Sequence, residues 1–131
     1  MNQLNQNNSM AVTDILASSC QYPAAAITAD GSLHICWQEL KNGHDTVRAA
    51  VAGKGNIGAA VQLSKEGEAL KPVCAAEGNR VWYAWGECST GQWSINYRYY
   101  ENGDYGPVMC AETGEALFYP YLYVRDEHVY L

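Results

Sequence analysis

The chain contains a single Phe, only 17% charged residues and no run of Lys or Arg, and each shortage excludes something. With a formal net charge of −6 and no basic stripe, it has the wrong sign for a phosphate-backbone binder, so nucleic acid is not an expected partner. No apolar run approaches the ~18 residues that span a bilayer. The segment from Met1 to Met10 is rich in Asn and Gln and lacks both the basic start and the apolar core of a signal peptide. The chain therefore reads as soluble, without a membrane partner, and as cytoplasmic if the given N-terminus is native. Its five cysteines, Cys20, Cys36, Cys74, Cys88 and Cys110, are odd in number and include no Cys-x-x-Cys pair. Neither a disulfide framework nor a zinc knuckle follows from them, so reduced thiols and no metal or cofactor are expected. Helical periodicity is missing throughout. So is any Ser/His/Asp or Cys/His constellation with recognisable spacing, since His34, His44 and His128 stand apart. No catalytic residue is assigned.

What is present is aromatic and repetitive. Ten Tyr and four Trp in a chain that is 48% hydrophobic favour sheets, because these rings pack on pleated surfaces and keep a polar handle for water. At 131 residues one domain is expected. Three segments align within it. Tyr22-Pro23 opens a stretch through Thr28, then Asp30-Gly31, then Leu33 to Trp37. Lys71-Pro72 opens a second through Ala76, Gly78-Asn79 and Val81 to Trp85. Tyr119-Pro120 opens a third through Val124, Asp126-Glu127 and Val129 to Leu131. Pro23, Pro72 and Pro120 are spaced by 49 and 48 residues, and Trp37 and Trp85 by 48. Gly67-Glu68-Ala69-Leu70 before the second copy recurs as Gly114-Glu115-Ala116-Leu117 before the third.

Within one copy every segment reads as strand. Pro suits the first residue of a strand, and Asp30-Gly31 or Gly78-Asn79 between apolar runs is a hairpin signal. Ala24 to Thr28 and Leu33 to Glu39 become strands one and two. Asn42-Gly43 introduces a third at Thr46 to Val51, matched by Trp93 to Tyr100, and a fourth falls around Ala60 to Leu63, matched by Pro107 to Cys110. Leu33, Ile35 and Trp37 share one face of the second strand while Cys36 sits on the other, so both faces carry apolar groups. A sheet flanked on both sides by other sheets requires that.

Four-stranded antiparallel units of about 48 residues, packed face to face, describe the blades of a β-propeller. The expected division is 1–21 as tail and outer strand, 22–70 and 71–118 as two complete blades, and 119–131 as the inner hairpin of an incomplete third. The string Tyr-Pro, Asp-Gly and a strand ending in Trp and an acidic residue resembles the blades of sialidase-like propellers. It covers Tyr22 to Glu39, Lys71 to Glu87 and Tyr119 to Leu131. The Asp-box of that superfamily, Ser-x-Asp-x-Gly-x-Thr-Trp, is absent, and Ser89-Thr90-Gly91-Gln92-Trp93 is a degenerate echo of it.

Two and a half blades leave uncovered faces, which a longer chain or a homo-oligomeric ring would close. Three blade equivalents per chain give six in a homodimer, with the N-terminal strand of one copy pairing to the C-terminal hairpin of the next. The expected function is a non-catalytic, lectin-like binding module taking a glycan on an aromatic platform. The candidate ligand residues are Trp93, Tyr97 and Tyr99, with Arg98 and Glu87 beside them; inter-blade packing is the competing role for the rings. A piece of a glycosidase, with the paired carboxylates such chemistry needs, and a protein-interaction scaffold are the alternatives. Glu39 and Glu87 follow the second-strand Trp in both copies, and Arg48 and Arg98 read as occupying equivalent places, which a structural repeat position would also give.

Overall fold

In a computed structural model the described residues, 19–65 and 67–131, form antiparallel sheets and no helix, as the alternation predicts. The first unit runs β1 (Cys20–Ile27), β2 (Leu33–Lys41) and β3 (His44–Gly53), with β4 (Asn56–Ile57) and β5 (Val61–Gln62) both on the far side of β3. The second repeats it with β6 (Glu68–Glu77), β7 (Arg80–Ser89), β8 (Gln92–Glu101), β9 (Asp104–Tyr105) and β10 (Met109–Gly114). A third element is a hairpin of β11 (Tyr123–Arg125) and β12 (His128–Tyr130). The expected outer strand before Cys20 lies outside the described residues.

The turns explain why these strands pair as they do. Asn42-Gly43, Lys54-Gly55, Thr90-Gly91 and Asn102-Gly103 each place both residues at positive φ, the two-residue geometry whose twist matches that of the flanking strands. Lys54-Gly55 and Asn102-Gly103 were not foreseen; they fold back the short β4 and β9, so the fourth position is split into two pieces. The prolines do not start strands either. Strand β6 begins at Glu68, and its register breaks between Leu70 and Val73, where Lys71 has φ 49°. Tyr22 has φ 51° at the matching break in β1. Pro23 and Pro72 thus sit in bulges, where an unpaired residue costs no ladder bond.

Each sheet has two faces, and the downstream face of the first unit meets the upstream face of the second. Strand β6 lies against β1, β2 and β3. The resulting core joins Cys36, Val47, Ala49 and Leu63 of the first unit's downstream face to Val81, Tyr83 and Trp85 of the second's upstream face. Burial of each large side chain here contributes about 1.5–3 kcal/mol. Polar bonds fix the register between units: Ala29 N–H donates to Gly78 O at 2.8 Å, and Lys71 N–H to Gln38 Oε1 at 3.0 Å. At the bulges three repeat-equivalent residues meet, with Lys71 Nζ 4.8 Å from the Tyr22 ring centre and 3.8 Å from that of Tyr119. Each such contact is worth about 0.5–1 kcal/mol at an exposed site.

His34 is buried in this interface, its Nδ1 2.9 Å from Tyr83 Oη. Burial disfavours the imidazolium and lowers its pKa, against a weaker opposing pull from Asp30. A base with a depressed folded pKa binds fewer protons folded than unfolded. Its stability contribution is therefore complete above its unfolded value of about 6.5 and is lost as pH falls through the folded value. The thermal midpoint is expected to drop between pH 7 and 5, and His34→Gln should flatten that slope; scanning calorimetry across the window checks it. Asp30 and Glu68, both lowered mainly by hydrogen bonds, add the same sign at lower pH.

Candidate functional site

The downstream face of the second unit carries Trp82 on β7 and Tyr97 and Tyr99 on β8, since Trp82 pairs with Tyr99 and Ala84 with Tyr97 across the ladder. The rings of Trp82 and Tyr97 are 6.2 Å apart and those of Trp82 and Tyr99 5.3 Å. Arg80 stacks over Trp82 and Tyr99 and pairs with Glu101 at 2.9 Å. Backbone from Leu117 to Phe118 crosses this sheet over Gly86, and the hairpin that follows stands against β6. Between sheet and hairpin opens a cleft of about 480 Å³. Trp82 and Tyr97 form one wall, Val129 and Leu131 the other, and Glu77 and Glu127 bring carboxylates to it.

Glu77 is held in place by Trp82, whose Nε1–H donates to Oε2 at 3.2 Å. Glu127 is held by its backbone. It occupies the repeat position of Gly31, yet keeps φ 60° beside Asp126 at φ 50°. The two residues form the turn that joins β11 to β12, where positive φ is the geometry the hairpin requires and a glycine would meet it at a cost lower by roughly 1 kcal/mol.

The sequence-derived candidates do not form one site. Trp93, Tyr97 and Tyr99 share the downstream face as the alternation predicts, but Trp93 packs edge-on against Phe118 with ring centres 4.4 Å apart. Tyr97 alone of the five lines this cleft. Arg98 and Glu87 lie on the upstream face, because they stand across the ladder from Tyr83 and Ser94. The Arg98 guanidinium donates to Gly106 O at 2.9 Å and Leu63 O at 3.2 Å, stitching the two units. Burial lowers its pKa. Its assumed equivalence to Arg48 fails: Arg48 stands opposite Trp37, whereas Asn96, not Arg98, stands opposite Trp85. Glu87 is 4% exposed and accepts from Trp85 Nε1 at 2.7 Å and Asn96 Nδ2 at 3.1 Å.

Trp82, Glu77, Glu127 and His128 were not singled out by the sequence, although a Glu standing where an earlier copy has Gly31 was a readable signal. Among the described residues no cluster of three or more His, Cys, Asp or Glu could hold a metal ion, and no helix is long and apolar enough to cross a membrane. No family model, curated protein or solved structure matches the chain.

Proposed function

We propose that this chain is a non-catalytic binding module of the β-propeller type that takes a saccharide in the cleft between its second unit and its third hairpin. The observation that carries the reading is that two aromatic rings and two carboxylates, those of Trp82, Tyr97, Glu77 and Glu127, line one cleft. The chemistry around it fits a sugar ring. Trp82 and Tyr97 offer aromatic surface for the apolar C–H face, and the carboxylates of Glu77 and Glu127 accept from hydroxyls, giving an apolar pocket with few fixed polar groups. Support for the propeller arrangement comes from the repeat-equivalent meeting of Tyr22, Lys71 and Tyr119.

A glycan array probed with the wild-type chain and two variants tests this reading. Trp82→Ala should lose the signal. Glu127→Gly should raise the melting temperature, by about 1 kcal/mol of released strain, while weakening binding. Silence of the wild type across the array, or a Glu127→Gly variant that binds as well as wild type, removes the proposal. Hydrolysis of a bound glycan would favour the glycosidase alternative instead.

Self-assembly is part of the same proposal. Tyr121, Tyr123 and Tyr130, with Tyr123 and Tyr130 stacked at 4.9 Å, lie exposed on the hairpin's downstream face. Their counterparts Ala24, Ala26 and His34 in the first unit are covered by the second. Continuity of that interface favours a second copy as the next unit, as in a six-unit homodimeric ring. The strand exchange through the N-terminus lies outside the described residues. Native mass spectrometry should give a dimer or larger ring, and a monomer as the sole species would contradict it.

A further inference from the structure

We propose that a second cleft, between the first and second units, binds a small hydroxylated amine in its protonated form. The reason is a difference between two copies of one arrangement. In the first unit Glu39 is neutralised by Arg48, with Nη1 to Oε2 at 3.1 Å. The equivalent carboxylate in the second unit is Glu87, and the two are built alike: Thr46 Oγ1 donates to Glu39 O at 3.1 Å, and Ser94 Oγ to Glu87 O at 3.3 Å. Asn96 occupies the place of Arg48. Glu87 therefore has two neutral donors, Trp85 and Asn96, and takes part in none of the ion pairs among the described residues, although it is 4% exposed.

A buried carboxylate with no cation in ion-pair contact is costly, and the cleft it faces has room for one. That cleft measures about 500 Å³ and is lined by Glu87, Asn96, Ser89, Ser94 and Lys65. Trp85 and Asn96 both donate to Oε2, so they orient the carboxylate for a donor arriving from the cleft. A protonated amine gives that donor together with the compensating charge that the Arg48 guanidinium supplies to Glu39, and the two serine hydroxyls suit hydroxyls next to the amine. Three amine and hydroxyl recognition groups converge here without an aromatic wall, which sets the site apart from the Trp82 cleft. The inference does not rest on the saccharide reading of that cleft.

Titration of the full chain with glucosamine, N-acetylglucosamine and glucose, followed by the Trp85 indole N–H resonance, tests it. Glucosamine should shift that resonance, while the acetylated and amine-free sugars leave it in place. Glu87→Gln, which keeps the shape and the Trp85 contact, should weaken glucosamine by about tenfold or more. Asn96→Arg should abolish binding while preserving the fold, because it rebuilds the Glu39–Arg48 pair internally. Lys65→Met should tighten binding by removing a like charge. Equal binding of the three sugars, unchanged affinity in Asn96→Arg, or no Trp85 shift with glucosamine would overturn the proposal. The Trp82 indole resonance reports the other cleft in the same spectra, so the two proposals fail separately.

Discussion

Trp85→Ala is expected to destabilise the chain by about 3–5 kcal/mol, a large share of the ~5–15 kcal/mol that keeps a domain folded. The Trp85 side chain is 0% exposed and stands in the core shared by both units, so its removal opens a void that neither sheet can close alone. It also takes away the 2.7 Å donor to Glu87. Phenylalanine separates the two effects. Trp85→Phe leaves Glu87 short of a buried hydrogen bond, which costs about 1–3 kcal/mol. Trp37, its repeat equivalent, is as deeply buried, but among the described residues its Nε1 has no hydrogen-bond partner. Trp37→Phe should therefore cost less than Trp85→Phe. Urea denaturation of the three single variants gives the comparison, and an equal loss for the two Phe variants would show that the Glu87 bond contributes nothing.

Gly86→Val should release the third hairpin and close off saccharide binding while leaving the two-unit core folded. A Cβ at Gly86 would stand 2.9 Å from Phe118 O and 3.0 Å from Leu117 O, backbone atoms that can retreat only by lifting the crossing segment. Overpacking of this kind costs about 1–3 kcal/mol, and the hairpin, held by Trp93 on Phe118 and Lys71 on Tyr119, has little else to offset it. Gln38 holds the same position in the first unit and reaches Lys71 N–H with its side chain, so the first interface has space that the second lacks. Hydrogen exchange should accelerate at β11 and β12 and stay slow at β2 and β7. Uniform acceleration over all strands would mean that the hairpin and the core unfold as one.

Much of the fold was legible because a two-residue alternation and a glycine-bearing turn are local signals. The inner strands of both units and the hairpin near Asp126 lie where the repeat places them. The bulges at Tyr22 and Lys71 were not legible, since a register break exists only relative to a partner strand. The candidate site was half legible. Alternation set Trp93, Tyr97 and Tyr99 on one face, and the same rule would have put Arg98 and Glu87 on the other. What alternation cannot give is which rings a neighbouring segment covers: Phe118 takes Trp93 out of the cleft, and the crossing over Gly86 brings Val129 and Leu131 opposite Trp82. Nor does spacing alone show that Asn96 replaces Arg48, because equivalence depends on ladder register and not on residue type.

The most direct test of the central claim is a two-dimensional ¹H–¹⁵N titration with the saccharide that gives the strongest array signal. The account predicts saturable shifts at the Trp82 indole N–H and the backbone amides of Tyr97, Glu127 and Val129, with Trp93 and Arg98 unmoved. Shifts confined to Trp93 or to the first unit, with Trp82 and Glu127 silent, would contradict it.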